Sequence, residues 1–239
     1  MNRKAVLIVT NYFFPYISGI SEYARTLAAS LTEDYNVTVL CGKHRPELNE
    51  TETAPEGYVI VRAAPLFFLD KGIISVDYVS KFRELSNQCD VINLHLPMLE
   101  SGLFALISKK PLVTTYQCDM AKVGSLLSRL AVSSVQMSMR IALRKSKAIA
   151  VLSSDYASSS PLLTQHMAKV HTIHPPNRFA LRERAEPTGL SPKGRFVCGF
   201  VGRFVLEKGI DVIVEAANQL AGHDIEFWLA GDYEGVAGG

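Results

Sequence analysis

The sequence predicts an α/β protein with a doubly wound parallel sheet, followed by the beginning of a second domain of the same class. Three observations predict this fold. Short apolar runs without alternation recur along the chain, as in strands that are buried on both faces of a sheet. Segments with helical apolar spacing separate these runs. A stretch rich in proline and glycine interrupts the alternation once, and the alternation then starts again.

The first unit of the pattern is strand, helix, strand. Ala5–Thr10 and Asn36–Leu40 are the two apolar runs, and between them apolar side chains follow helical spacing from Ile20 to Leu31. The length of this unit suits a crossover connection between parallel strands, which predicts a parallel sheet.

The alternation continues as far as Ile173. Further strands are predicted at Tyr58–Ala63, Asp90–His95, Leu112–Tyr116, Ala148–Leu152 and Val170–Ile173. Helices are predicted at Val76–Leu85, between the strands Asp90–His95 and Leu112–Tyr116, and at Lys122–Arg144. Residues 1–178 are therefore expected to form one Rossmann-like domain with about seven strands.

Residues 179–194 are predicted to be an interdomain linker, because prolines, glycines and a charged run from Arg182 to Glu186 break the pattern there. Residues 195–239 then begin a second Rossmann-like domain, with the predicted elements Phe196–Val201, Ile210–Leu220 and Ile225–Ala230. Two strands and a helix bury too little apolar surface to form a stable domain alone. We therefore expect this domain to be incomplete and the 239-residue chain to be inactive by itself.

Composition excludes several classes of protein. The hydrophobic fraction of 48% and the charged fraction of 20% are ordinary for a soluble enzyme, and a net charge of +2 does not predict a nucleic-acid binder. No GxGxxG motif follows the first strand, which disfavours a dinucleotide cofactor. No apolar run approaches the ~20 residues that span a bilayer, so we expect a cytoplasmic protein.

The cysteines do not predict a metal site. None belongs to a CxxC pair or lies at zinc-ligand spacing from a histidine, so reduced thiols without metal or cofactor are expected. The four are Cys41, Cys89, Cys118 and Cys198.

The loops that follow the strands are the candidate site, because open α/β sheets bind ligands at the carboxyl ends of their strands. After the first strand, Ser18 can cap the next helix and Gly19 lets a ligand approach the backbone, although an ordinary capped turn would look the same. His95, Gln117 and Asp119 follow later strands. Gln117 and Asp119 can bind sugar hydroxyls, and Asp119 can act as a base, whereas a lone histidine such as His95 is more often structural than catalytic.

In the second domain, the loop after the first strand contains Gly202, Arg203 and Lys208. The glycine allows close approach to the backbone, and the two cations together suit a diphosphate. Gly231 and Asp232 follow the next strand and are expected at the same edge of the sheet. A surface turn with an arginine and a lysine is the alternative interpretation.

The segment GRFVLEKGIDVIVEA resembles the signature of family 4 of the glycosyltransferases, which are retaining, metal-independent enzymes of the GT-B fold. Four other segments occur in the order of that family: FFPYISGISEYARTLAASL, DVINLHLP, KPLVTTYQCD and AIAVLSSDYA. The resemblance implies transfer of a sugar from a nucleoside-diphosphate sugar to a glycan or lipid-linked acceptor, as in polysaccharide biosynthesis. It also implies donor-diphosphate binding by Arg203 and Lys208, with Gly19 near the phosphate or the acceptor and with Ser18 and His95 on the acceptor side.

The sequence departs from the family in two places and leaves two other functions open. The family often has two adjacent glycines where this chain has Ser18 and Gly19, and often a histidine at the position of Gln117. The family's paired glutamates are expected beyond Gly239. A GT-B sugar-nucleotide epimerase and a non-catalytic nucleotide or carbohydrate binder are the alternatives.

One helical segment predicts contact with an anionic membrane surface. From Met120 to Ser154 there is no acidic residue. Lys122, Arg129, Arg140 and Arg144 fall within an arc of about 60° on a helix. The adjoining arc is apolar: Val123, Leu126, Leu127, Leu130, Met137 and Ile141. A basic stripe beside an apolar one suits lipid headgroups, and the alternative is a helix whose apolar side faces the core.

Overall fold

The computed structural model describes residues 3–69, 72–120, 125–174 and 196–233. The chain divides into two compact units, Met1–Arg178 and Phe179–Gly239, and each has its own sheet. The predicted linker at 179–194 lies outside the described residues, as does Lys122.

The N-terminal unit is built on a mixed sheet. In chain order its strands are β1 (Ala5–Val9), β2 (Asn36–Gly42), β3 (Thr51–Thr53), β4 (Val59–Ala63), β5 (Phe67–Leu69), β6 (Gly72–Ile74), β7 (Val91–Leu96), β8 (Leu112–Tyr116), β9 (Ala148–Val151) and β10 (Val170–Thr172). Eight of them form one sheet in the order β10-β9-β8-β7-β1-β2-β4-β3. The seven strands predicted from the sequence are all present and pair in parallel, which confirms the doubly wound α/β fold.

Three short strands were not predicted. β3 pairs antiparallel with β4 at the sheet edge, and β5 and β6 form a separate antiparallel pair. Each has three residues, which is too short for an apolar period to be recognised.

Helices cover both faces of the main sheet. They are α1 (Gly19–Leu31), α2 (Val76–Gln88), α3 (Ser101–Ile107), α4 (Leu126–Lys145) and α5 (Ser154–Ser159). Successive residues of β1 belong to different cores. Ile8 packs with α1, whereas Leu7 and Val9 pack in the cluster that includes buried residues of α2, α3 and α4. Burial on both faces explains why the parallel strands are uninterrupted apolar runs.

The larger core is organised around aromatic rings. Phe104 stacks on Phe82 with ring centroids 4.0 Å apart and meets Tyr78 edge-on at 5.2 Å. All three side chains are fully buried, and the Tyr78 hydroxyl donates to the Thr10 carbonyl at 2.6 Å. This hydrogen bond ties α2 to the carboxyl end of β1.

The strand order reverses direction between β1 and β7. β2 lies on one side of this pair and β8 on the other. The loops after β1 and β7 meet at the reversal, where the side-chain amide of Asn11 donates to the Pro97 carbonyl at 3.1 Å. Crevices at such reversals are the usual ligand sites of open α/β sheets, so the fold places the candidate site here.

The second unit contains the three elements that the sequence predicts for it. β11 (Phe196–Val201) and β12 (Ile225–Ala230) pair in parallel, and α6 (Ile210–Gln219) connects them. A short 3₁₀ helix, Leu206–Lys208, precedes α6. Among the residues described in this unit, Val205 is the one buried hydrophobic residue, at 2% exposure.

Candidate functional site

The turn between β1 and α1 is fixed by a reciprocal cap. The Ser18 hydroxyl accepts from the Ser21 amide at 3.1 Å, and the Ser21 hydroxyl accepts from the Ser18 amide at 2.8 Å. The Ser18 side chain is thus engaged in capping, and its role toward an acceptor stays a prediction. Gly19 is exposed, and a Cβ added there would meet nothing within 4 Å. The backbone at the start of α1 is therefore open to a ligand, where the helix dipole favours an anion.

A buried arginine holds the same turn from two strands away. The Arg62 side chain, on β4, is fully buried and pairs with Glu52 Oε1 at 2.6 Å. Its guanidinium also donates to the carbonyls of Phe14 and Asn49, each at 3.0 Å. Sequence analysis missed this residue, although an arginine inside the apolar strand VIVRA was a signal that it has partners, because an unpaired charge is rarely buried.

His95 and Gln117, which the sequence placed on neighbouring strand ends, contact each other. The Gln117 side-chain amide nitrogen lies 3.0 Å from His95 Nδ1. β7 runs one residue past His95, so His95 lies inside the strand and not in the loop that follows, and it is 1% exposed. Burial lowers the pKa of His95 to about 3, so its imidazole is neutral at physiological pH. The acceptor-side role of His95 stays a prediction.

The hydrogen bond in this contact depends on which imidazole nitrogen carries the proton. An amide N–H that donates to Nδ1 requires the proton to be on Nε2. Nε2 is buried and has no hydrogen-bond partner within the part of the chain that the structure describes. The Tyr23 ring of α1 lies 5.8 Å from the imidazole. His95 is therefore a buried, neutral side chain that contacts Gln117.

Asp119 is held by three hydroxyl groups. Its Oδ1 accepts from Tyr116 at 2.5 Å and from Ser160 at 3.0 Å, and its Oδ2 accepts from Tyr156 at 2.9 Å. Burial and the nearby carboxylate raise the pKa of Tyr156 to about 12, so Tyr156 remains a donor. Hydrogen bonds to a charged group are stronger than neutral ones, so this arrangement anchors the loop after β8. The predicted role of Asp119 as a base is not tested by this geometry.

Glu100 is a site candidate that the sequence analysis missed. It is half-buried and follows the β7–Pro97 segment, at the start of α3. Burial raises the pKa of its carboxyl to about 7. A carboxyl with a perturbed pKa near the strand reversal is typical of functional sites. Its sequence surroundings, Leu99 and Ser101, gave no signal.

In the second unit, the loops after β11 and β12 lie side by side. The Gly202 amide donates to the Ala230 carbonyl and the Phe204 amide donates to the Asp232 carbonyl, both at 2.9 Å. A Cβ on Gly231 would lie 1.7 Å from the Gly202 carbonyl oxygen, so only glycine fits there. The sequence predicted that these loops would share one edge of the sheet, and the hydrogen bonds between them agree with that placement.

The two predicted phosphate-binding cations belong to one of these loops. Arg203 is half-buried directly after Gly202, and Lys208 is exposed at the end of the 3₁₀ helix. Gly209 follows with a φ of +70°, a conformation that favours glycine, and begins α6. Lys208 thus directly precedes the N-terminus of α6, the positive end of its dipole.

In residues 3–69, 72–120, 125–174 and 196–233, no group of three or more His, Cys, Asp or Glu side chains could hold a metal ion. None of the helices in these same ranges is both long and apolar enough to cross a membrane.

The family is shown by a sequence comparison. A family model described as Glycosyltransferase Family 4 matches residues 17–176. The chain belongs to glycosyltransferase family 4. The match begins beside Ser18 and covers the loops that contain His95, Gln117 and Asp119. The second-unit segment on which the resemblance first rested lies outside the match, and the individually weaker N-terminal motifs are the ones that the model matches. No curated protein sequence matches this family 4 chain.

Solved structures show the GT-B fold. Sucrose-phosphate synthase from Thermosynechococcus elongatus superposes with a TM-score of 0.71 at 17% identity, covering 99% of this chain and 65% of that one. HepE from Anabaena in complex with UDP-glucose has a TM-score of 0.62 at 15% identity, with 94% and 60% covered. TarM has a TM-score of 0.58 at 10% identity, with 97% and 72% covered. The family 4 chain therefore spans about two thirds of the length of the first two proteins.

Proposed function

We propose that this family 4 protein transfers a sugar from a nucleoside-diphosphate sugar to an acceptor, with retention of configuration and without a divalent metal. The observation that carries the proposal is the loop from Gly202 to Lys208, which lies beside Gly231 and Asp232 at the carboxyl edge of β11 and β12. This edge combines an exposed lysine, an arginine and a helix N-terminus.

The chemistry of that loop suits a diphosphate leaving group. When the bond to the sugar breaks, negative charge develops on the diphosphate oxygens. Arg203 can donate two parallel hydrogen bonds to such oxygens, and Lys208 adds a point charge. The dipole of α6 adds a partial positive charge. Groups that are already oriented toward developing charge are usually the largest contribution to a rate enhancement.

Retention is carried over from the family resemblance. Among the candidate residues of the N-terminal unit, His95 is not a base at neutral pH, because burial lowers its pKa to about 3. The carboxylate of Asp119 accepts from three hydroxyl donors, and Glu100, whose pKa burial raises to about 7, is the other candidate carboxyl. In the proposal, Gln117 and Asp119 orient a sugar, Ser18 and His95 contribute to the acceptor side, and Gly19 lies near the phosphate or the acceptor.

The acceptor that we propose is a glycan or a lipid-linked saccharide in polysaccharide biosynthesis. The protein would act in the cytoplasm, at the inner face of the cell membrane. For the donor, HepE was solved with UDP-glucose, so uridine nucleotides are the first compounds to test.

A non-catalytic binder of nucleotides or carbohydrates is the second candidate. The observation in its favour is the arrangement of the candidate residues in the N-terminal unit. Gln117 stands where the family often has a histidine, His95 is neutral, and Asp119 is engaged in structural hydrogen bonds.

The test is a calorimetric titration of the chain with UDP, UDP-glucose and uridine in the presence of EDTA. We expect UDP to bind without metal and uridine to bind at least about 100-fold more weakly, because uridine lacks the diphosphate and its charge-assisted hydrogen bonds of about 1.5–3 kcal/mol each. Equal affinity for uridine and UDP, or UDP binding only with added metal, would contradict the proposal.

A further inference from the structure

The first turn of α4 is exposed on all sides. Every residue from Ser125 to Leu130 is exposed. Large apolar side chains are among them. Leu126 is 74% exposed, Leu127 77% and Leu130 57%, and Met137, two turns later, is 57% exposed. Most other large apolar side chains of this unit's helices face a core, so this exposure needs a physical reason.

The side of α4 that is buried in the core is not the side that carries the exposed leucines. Its core-facing residues are Val132, Met139, Ala142 and Leu143. Viewed down the helix axis at ~100° per residue, Leu126, Leu130 and Met137 lie within about 40° of one another. The centre of this exposed stripe is about 140° around the axis from the centre of the buried residues Val132, Met139 and Leu143. The alternative that the apolar side of this helix faces the core is therefore wrong for these residues.

Ser138, in the second half of α4, makes hydrogen bonds to α3. The Ser138 hydroxyl accepts from the Gly102 amide at 2.7 Å, and a Cβ on Gly102 would lie 2.8 Å from that hydroxyl. Since Ser138 is the thirteenth residue of the 20-residue helix, three turns precede this contact. The exposed leucines belong to those turns.

The charges around this apolar stripe have one sign. No acidic residue occurs from Met120 to Ser154. Arg129 and Arg140 fall on one flank of the stripe, and Arg144 continues its line toward the end of the helix. All three are exposed, and among the ion pairs of the described residues none involves them. The surface thus pairs exposed leucines with cations that have no carboxylate partner.

We infer that α4 binds the surface of an anionic lipid bilayer, with its apolar stripe among the upper acyl chains and its arginines on lipid phosphates. An amphipathic helix with basic flanks is typical of helices that lie in the membrane interface. The leucines decide between this partner and another polyanion, because a nucleic acid or a free phosphate requires cations and gains nothing from exposed Leu126 and Leu130. The inference concerns the location of the acceptor and does not depend on the transfer reaction.

The experiment is flotation of the chain with vesicles of phosphatidylcholine alone and of phosphatidylcholine with phosphatidylglycerol. We expect binding to the anionic vesicles at low salt, at least about tenfold weaker binding at 0.5 M salt, and little binding to the neutral vesicles. Leu126→Ser/Leu130→Ser and Arg140→Glu/Arg144→Glu should each reduce anionic-vesicle binding at least about tenfold.

Matched controls come from α2, where Val76 is 75% exposed and Arg83 is exposed. Val76→Ser and Arg83→Glu should leave flotation unchanged, and circular dichroism checks that every variant is folded. The inference is overturned if anionic vesicles do not bind at low salt, or if the leucine variant floats as well as the wild type. It is also overturned if the leucine variant abolishes a dimer in light scattering without changing flotation, since a second copy would then cover this face.

Discussion

The two units hold their candidate residues in different ways. In the N-terminal unit, side chains are fixed by burial and by hydrogen bonds to distant residues, as for Arg62, His95 and Asp119. In the second unit, where Val205 is the one buried hydrophobic residue of the described part, the loop is fixed by backbone geometry. Gly209 adopts a positive φ, and Gly231 allows one loop to touch another.

This difference predicts how each unit responds to substitution. A site that rests on a packed core should fail when the core loses volume, and a site that rests on glycine backbone should fail when a glycine gains a methyl group. The unit with the larger core should also show the larger losses of stability. Three substitutions test this comparison.

The largest effect is expected for Phe104→Ala in the N-terminal unit. Its ring is fully buried and stacks on Phe82, so its removal leaves a cavity and should lower the free energy of unfolding by about 3–5 kcal/mol. The matched change in the second unit is Phe196→Ala, where the ring is 68% exposed and the loss should be under about 1 kcal/mol. Urea denaturation measures both. Equal losses would remove the basis of the comparison.

An intermediate effect is expected for Gly231→Ala. The new Cβ would overlap the Gly202 carbonyl oxygen, so the two loops must separate, at a cost of about 1–3 kcal/mol. Hydrogen exchange of the β11 and β12 amides should become faster, and UDP binding should weaken. Gly199→Ala is the control, because a Cβ there meets nothing within 4 Å. If both variants behave alike, close approach of the loops does not fix this site.

How far the sequence predicts this fold depends on the length of each element. Six of the seven parallel strands were predictable because burial makes them largely apolar runs, whereas β10 has two exposed residues of three. The two strands of the second unit were predicted with the bounds Phe196–Val201 and Ile225–Ala230 that the structure shows. β3, β5 and β6 were not predicted, because their antiparallel pairing depends on the rest of the fold.

The sequence predicted where the candidate site lies, but not which residues its side chains contact. Polar residues directly after apolar runs indicated the strand ends, which is how His95, Gln117 and Asp119 were found. Their partners come from far along the chain. Gln117 is 22 residues from His95, Tyr156 is 37 from Asp119, and Arg62 is 48 from Phe14. No local pattern reports such contacts, so the neutral state of His95 and the hydroxyl groups around Asp119 required the structure.

At neutral pH, the smallest change in the free energy of unfolding is expected for His95→Gln. On acidification, this substitution should have an effect of defined sign. Burial lowers the pKa of His95 from 6.5 to about 3, so between these values the unfolded chain binds a proton that the folded chain does not. The contribution of His95 to stability is therefore present above pH 6.5 and is lost as the pH falls toward 3.

The measurement is urea denaturation between pH 7 and pH 4. The wild type should lose stability on acidification more steeply than His95→Gln, while His171→Gln, which replaces an exposed histidine of β10, should follow the wild type. Parallel curves for wild type and His95→Gln would show that this imidazole does not enter the folded core in a neutral form.

The central claim is that the second unit binds a diphosphate through Arg203 and Lys208, and calorimetry with UDP in EDTA tests it most directly. The variant is Arg203→Ala/Lys208→Ala. Its matched control, Arg83→Ala/Lys109→Ala, removes two exposed cations from the N-terminal unit, near the segments that lead into β7 and β8. We predict that the first variant weakens UDP binding by at least about 100-fold, since each charge-assisted hydrogen bond contributes ~1.5–3 kcal/mol, and that the control leaves the affinity unchanged. An unchanged affinity in Arg203→Ala/Lys208→Ala would contradict the account.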